Sequence, residues 1–208
     1  MESWKKYMVN YDREIAKELA VAAGRAYTRG IQAGSGGNVS ARIPGGDLML
    51  VKASGGSLGD CTADDFLITD FEGNLVEGKG KPTREALLHG YIYRICPRVN
   101  AVVHVHAPYS IGWSQTGRDL PSTTWHAKLK LCADIPVLNV PAAMVREQDL
   151  PMVDRLFREN SELPAFILAD HGIVAVGKDA CGAEHTAELI EETARVALLK
   201  AAVLKLGL

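Results

Sequence analysis

The run Ala101-Val102-Val103-His104-Val105-His106 constrains this chain more than any other segment. Its valines favour an extended strand, and alternate strand side chains share a face. His104 and His106 therefore project together, while Val103 and Val105 point the other way. Two imidazoles on one face chelate a divalent cation, and a cation that does chemistry takes further N/O ligands and keeps one position open. A third histidine and a carboxylate stand ready: His171, after the apolar run Ala165–Ala169, in the turn Asp170-His171-Gly172, and Glu85, at the start of a helix in Pro82-Thr83-Arg84-Glu85. The plainer alternative is a pair of strand histidines satisfied by nearby polar groups. The two further ligand candidates favour the metal site.

The rest of the chain supplies helices to cover that strand. Ile15, Leu19, Ala22 and Ala23 fall on one stripe of a helix over 11–29, which Gly30 stops. Leu87, Leu88, Tyr91, Ile92 and Ile95 form a second stripe between Pro82 and Pro97, and the segment 183–206, rich in Ala, Leu, Glu and Lys, forms a third helix. Short strands are expected over 47–51, 66–69, 75–76, 101–105, 135–140, 165–168 and 173–176. With 208 residues, 47 % of them hydrophobic, and no linker or repeat, the chain is expected to form one domain over 1–208, a helix-flanked sheet. The net charge of −2, mixed in sign along the chain, argues against nucleic acid. No apolar run is long enough for a membrane span, and Met1-Glu2-Ser3-Trp4-Lys5-Lys6 is no secretory signal. Cys61, Cys96, Cys132 and Cys181 form no Cys-x-x-Cys pair, so reduced thiols and a cytoplasmic setting are expected. Glu184, His185, Glu188, Glu191 and Glu192 give the last helix the look of a second metal cluster, but helical spacing scatters them around a face that reads as solvated.

Three turns carry hydrogen-bond donors suited to an anion. Gly34-Ser35-Gly36-Gly37-Asn38-Val39-Ser40 offers backbone N–H groups and the Asn38 amide, and Lys52-Ala53-Ser54-Gly55-Gly56-Ser57 follows a strand. Neither matches a nucleotide-binding loop. Thr83 and Arg84 lie at a helix N-terminus, where free N–H groups and the helix dipole favour negative charge. Together they suggest a phosphate. His89, one helical turn after Glu85, reads as a packing or hydrogen-bonding residue.

In order and spacing, Gly34–Ser40, Lys52–Gly55, Pro82-Thr83-Arg84-Glu85, His104-x-His106 and Asp170-His171-Gly172 resemble the class II aldolase/adducin family, which includes fuculose-phosphate and rhamnulose-phosphate aldolases. The resemblance runs from about Tyr11 to the last helix. It implies an α/β fold with a largely antiparallel central sheet covered by helices, and a homotetramer with active sites between subunits. It also implies zinc on His104, His106 and His171, with Glu85 as the acid/base that touches the metal at rest. Mn²⁺, Fe²⁺ or Co²⁺ would suit the same donors. Asn38, Ser54, Gly55 and Thr83 match the positions that hold a substrate phosphate. The implied reaction is retro-aldol cleavage of a small phosphorylated ketose through a stabilised enediolate.

Three departures bear on that reaction. In the ribulose-phosphate 4-epimerase branch an aspartate replaces the glutamate and a second aspartate acts further on, whereas this chain has Glu85 and the stretch Ser122–Lys128. In the fuculose-phosphate type a tyrosine from the adjacent subunit donates a proton where Trp125 stands here, and an indole has no acidic proton to give, which leaves His126 as a substitute. Arg84 replaces a small hydroxyl residue. With Ser54–Gly59 it resembles the branch that decarboxylates 3-oxo-tetronate 4-phosphates, and its guanidinium suits a phosphate or a substrate carboxylate. Loss of the histidines would mark a non-catalytic, adducin-like module, and all three are present.

Overall fold

The computed structural model describes residues 3–207. Its chain order is α1 (Ser3–Thr28), β1 (Asn38–Ile43), β2 (Leu48–Lys52), β3 (Phe66–Asp70), β4 (Leu75–Glu77), α2 (Ala86–Ile95), β5 (Ala101–Val105), α3 (Pro108–Ser114), α4 (Trp125–Leu131), β6 (Val137–Leu138), α5 (Leu150–Glu159), β7 (Ala165–Leu168), β8 (Gly172–Gly177) and α6 (Ala180–Lys205). The strands form one sheet in the order β4-β3-β2-β1-β5-β8-β7-β6. Every pairing is antiparallel except β6 with β7.

Strand alternation divides the core into two layers. Val39, Ala41, Val103, Val105, Ile167 and Ile173 face one way and pack with Leu19, Ala23, Ala187, Ile190 and Ala194 of α1 and α6. Met49, Val51, Val102, Phe166, Leu168 and Val174 face the other way and pack with Leu88, Ile92, Val153 and Phe157 of α2 and α5. All five residues of β5 are buried, because the strand lies between β1 and β8 with helices over both faces. A strand covered on both faces tends to a continuous apolar run, which His104 alone interrupts in β5. The α6 stripe Ala183-Ala187-Ile190-Ala194 is mostly alanine, and such small side chains suit close packing of the helix on the sheet.

Several elements differ from the sequence expectation. Asn38–Ser40 belongs to β1, and the donor-rich turn ends at Gly37. The strand expected over 135–140 shrinks to Val137–Leu138, with Ile135 in an isolated bridge to Leu120. The first helix starts at Ser3, well before Tyr11. Of the α6 acids Glu192 is exposed as expected, whereas Glu184 is 0 % exposed and bonded to Arg25, and Glu191 is buried and accepts from Tyr109 N, Ser110 N and Ser110 Oγ. Glu188 also pairs with Arg25. These carboxylates join α6 to α1 and cap α3, so a second metal cluster has no support there.

Candidate active site

His104 ends the α2-facing row of β5, and His106 follows it past the strand end. His171 comes alongside through the β7–β8 turn, because β8 pairs with β5 in the register Val105↔Ile173 and His104↔Val174. That turn is tight. Asp170 adopts a left-handed φ of 56°, and a Cβ on Gly172 would lie 2.2 Å from the Val105 carbonyl oxygen, so only glycine lets the turn pack there. Each of the three histidines offers a ring nitrogen, and these atoms all lie within 4.8 Å of one another.

The His104 tautomer follows from its partner. Nδ1 lies 2.9 Å from the Ile173 carbonyl, which can only accept, so Nδ1 carries the proton. Nε2 therefore holds a free lone pair, and it is buried with no hydrogen-bond partner among the described residues. A backbone carbonyl fixing one ring nitrogen so that the other can ligate is a common arrangement around bound metals. Burial pushes His104 and His171 down to about 4 and also lowers His106. Converging neutral imidazoles match the donor preference of a divalent transition ion.

Glu85 is the N-cap residue of α2, 6 % exposed, and its carboxylate reaches into the cluster. Oε2 accepts from Asn38 Nδ2 at 2.8 Å and lies 3.3 Å from His104 Nε2, while Oε1 lies 4.0 Å from His171 Nδ1. Burial raises the Glu85 pKa, opposed by the Asn38 hydrogen bond and the nearby imidazoles.

Beside this group opens a cavity of about 110 Å³ lined by Ser35, Gly36, Gly37, Asn38, Lys52, Ser54, Gly55, Thr83, Arg84, Glu85, His106, Ala143, Met144 and His171. Its two donor turns are held side by side by Ser54 N donating to Lys81 O at 2.8 Å and Thr83 N to Lys52 O at 3.2 Å, around a bridge between Ala53 and Pro82. The third turn is pinned through Gln32, whose side-chain oxygen accepts from His106 N at 2.8 Å. Eight of the nine residues expected at a site line this one cavity, and the ninth, His104, lies buried against Glu85.

Lys52 is a lining residue that the sequence places at the head of a donor turn and to which the sequence analysis gives no role of its own. It is 3 % exposed, its ammonium donates to the Ala53 carbonyl at 3.1 Å, and among the described residues no carboxylate lies within ion-pair distance. A lysine closing the apolar strand Leu48-Met49-Leu50-Val51 was the available signal, since a cation is rarely buried without cause. Ala143 and Met144 gave no signal. Trp125 and His126 do not line the cavity; Trp125 opens α4 at 84 % exposure beneath the Lys128 ammonium.

Residues 17–198 match the family model described as the Class II Aldolase and Adducin N-terminal domain. The chain is 33 % identical over 185 residues to the 3-oxo-tetronate 4-phosphate decarboxylase of Haemophilus influenzae, covering 86 % of this chain and 85 % of the relative. It is 34 % identical over 172 residues to the L-fuculose phosphate aldolase of Methanococcus maripaludis, covering 82 % and 88 %. Among solved structures, YgbL of Escherichia coli, described as a putative aldolase/epimerase/decarboxylase, superposes with a TM-score of 0.76 at 28 % identity over 91 % of this chain and 90 % of that one.

Proposed function

Because this chain belongs to the class II aldolase and adducin family, we propose that it is a metal-dependent lyase cleaving a carbon–carbon bond of a small phosphorylated ketose, in a retro-aldol reaction of the fuculose-phosphate type. The position of Glu85 carries this reading: a buried carboxylate 3.3 Å from a ligand-ready imidazole, on the wall of a small, donor-lined cavity. His104, His106 and His171, with Glu85, would hold the cation. Zinc suits these donors, as do Mn²⁺, Fe²⁺ and Co²⁺, and a cation bound here supplies Lewis-acid polarisation of the ketose carbonyl.

The remaining work falls to the chain. Asn38, Ser54, Gly55 and Thr83 receive the phosphate through amide, hydroxyl and backbone N–H donors, with Arg84 at the rim. Glu85 exchanges a proton with the enediolate carbon or the substrate hydroxyl, and its burial keeps it a better base than a solvated carboxylate. The neutral imidazoles offer no competing acid.

A second reading is decarboxylation of an acid resembling 3-oxo-tetronate 4-phosphate. It is favoured by Arg84, exposed at the cavity and in no ion pair among the described residues, which suits a substrate carboxylate, and by the similarity to the Haemophilus decarboxylase. Both reactions leave the same enediolate. The proposed unit is the whole chain acting as one domain, since the cavity draws residues from Ser35 to His171. A cytoplasmic homotetramer is the proposed setting, in keeping with four free cysteines and with the exposed Trp125 and Leu129 of α4. No helix among the described residues is long and apolar enough to cross a membrane.

The test is hydrogen exchange on dihydroxyacetone phosphate in heavy water, followed by NMR with zinc-loaded and chelator-treated protein. Stereoselective, metal-dependent exchange that Glu85→Gln abolishes supports the enediolate chemistry and the role of Glu85, and release of dihydroxyacetone phosphate from fuculose phosphate then supports the aldolase reading. With zinc in place, carbon dioxide release from 3-oxo-tetronate 4-phosphate without cleavage of fuculose phosphate moves the decarboxylase reading to first, and absence of exchange in the wild-type protein counts against both.

A further inference from the structure

His106 and His171 both lie beyond the last β5–β8 ladder pair, Val105 with Ile173, so sheet register alone does not set the gap between them. Their ring centroids are 4.9 Å apart. Helix α3 reaches both segments: it starts two residues after His106 and packs against β7, β8 and α6. Its seven residues make a helix about 10 Å long, too short to hold its shape without tertiary support. Where a surface helix buries an apolar stripe, α3 buries Ser110 and Ser114, four residues apart and so on one face.

Both serines tie the helix down. Ala107, at the N-cap, has no side chain able to cap, and Pro108 brings no N–H, which leaves the N–H groups of Tyr109 and Ser110 for an outside acceptor. Glu191 of α6 supplies it: Oε1 accepts from Tyr109 N at 2.8 Å, and Oε2 from Ser110 N and Ser110 Oγ at 2.8 Å each. A carboxylate there also suits the positive end of the helix dipole. At the other end Ser114 Oγ donates to the Ile111 carbonyl at 2.7 Å, so its oxygen is left to accept from Asp170 N at 3.0 Å. Asp170 immediately precedes His171, and its φ of 56° is a conformation that a non-glycine residue keeps when surrounding contacts hold it. The helix is therefore fastened at one end beside His106 and at the other beside His171.

We propose that α3 is a splint for the metal site: Glu191 and Ser114 fix its two ends, and the helix between them sets the spacing of His106 and His171 before a cation arrives. Both are positioning residues, bonded to the segments that carry the histidines and to neither imidazole. Through Glu191, α6 holds the geometry of a cavity to which it contributes no lining residue. This inference rests on the metal-binding role proposed for the three histidines.

Amide hydrogen exchange of the wild-type protein, read by NMR, tests the order of events without any variant having to fold. The amides of Tyr109, Ser110 and Asp170 are expected to be protected in the metal-free protein as they are with zinc. Free exchange at these amides before zinc is added means that the cation orders the helix, and overturns the proposal. Zinc affinity by chelator competition and the visible absorption of the Co²⁺-substituted protein are then compared in Ser114→Ala, Glu191→Gln and the double variant. Each single change is expected to weaken zinc binding about 10-fold and to shift the Co²⁺ bands, with the metal-free melting temperature recorded in parallel. A splint released at one end no longer transmits spacing, so the double variant is expected to lose little more than either single one. Wild-type affinity and Co²⁺ spectrum beside a lowered melting temperature make both residues structural only, and losses that multiply in the double variant make each a local contact; either overturns the splint. A wild-type protein that takes up no zinc overturns the metal-dependent reading and the splint together. The expected pattern of affinities, in a protein that exchanges no hydrogen on dihydroxyacetone phosphate, supports the splint and counts against the enediolate chemistry alone.

Discussion

Asn38 and His104 are Cα partners across the β1–β5 ladder, and their side chains converge on one atom, Oε2 of Glu85, at 2.8 and 3.3 Å. Neighbouring strands thus frame a carboxylate that arrives from the N-cap of α2, Asn38 donating to it and His104 setting the Nε2 lone pair against it. Two distant parts of the chain, 47 residues apart between Asn38 and Glu85, are joined at the point where the chemistry is proposed.

Asn38→Ala is expected to raise the pKa of Glu85. The amide hydrogen bond favours the ionised carboxylate, so its loss leaves burial less opposed. A base works only when ionised, and the acid limb of a kcat profile should therefore move to higher pH. Removing a hydrogen bond to a buried charge also costs about 1–3 kcal/mol of stability. A pH–rate series with a parallel thermal melt reads both effects; an acid limb that stays in place would show that Asn38 does not tune this group.

The sheet-face logic of the site was legible from the sequence, and the contacts between layers were not. Alternation along β5 is a local property, so His104 and His106 sharing a face followed from the residues alone. The pairing of Ser40 with His89, or of Gln32 with His106, depends on how β1 and the preceding turn meet other elements, and no local period encodes that. β1 itself was obscured because Asn38, Ser40 and Arg42 turn polar side chains inward to α2, where a strand is expected to be apolar. Lys52 was hidden in the same way, as a charge in a buried place.

The metal-free protein should lose stability on acidification in the window between the ordinary imidazole pKa, near 6.5, and the depressed values. His104 and His171 titrate at about 4 in the folded protein and His89 at about 3. Between those limits the unfolded chain binds protons that the folded chain refuses, so stability falls with pH. Glu184 acts in the opposite sense. Burial holds its carboxyl up to about 7, so the folded protein binds an extra proton between that value and the usual 4.5, offsetting part of the loss. Melting temperatures of wild type and Glu184→Gln between pH 7 and 4.5, with chelator present, should show the steeper decline in the variant. Parallel curves would contradict this assignment of the opposing group.

Lys52→Met should separate binding from stability. The buried ammonium has one hydrogen bond, to Ala53 O, and no carboxylate partner among the described residues, so the native protein bears a desolvation cost at this position. Methionine fills a similar volume without the charge. Affinity for inorganic phosphate, measured by calorimetric titration, is expected to fall by about 10-fold, the value of one charged hydrogen bond. The melting temperature should hold or rise. A lower melting temperature with unchanged phosphate affinity would make Lys52 a structural residue.

Gly36→Ala tests how closely the glycine turn frames His106. A Cβ at this position would stand 2.6 Å from His106 Nδ1 and 2.8 Å from Gln32 Nε2. Real Cβ atoms do not approach this near, so either the imidazole rotates away from its two companions or the turn opens. In both cases His106 loses its place relative to His104 and His171, while the sheet core, several residues away, is untouched. Zinc affinity is expected to fall by about 10-fold, as when a ligand loses its orienting shell, with the melting temperature of the metal-free protein changed by only a few degrees. Gly34→Ala serves as the control for the turn itself. A Cβ there meets no neighbour within 4 Å, although its φ of 61° makes the substitution strained in its own right. A drop in zinc affinity confined to Gly36→Ala ties the loss to the His106 ring. Equal drops in both variants would assign it to backbone strain in the turn.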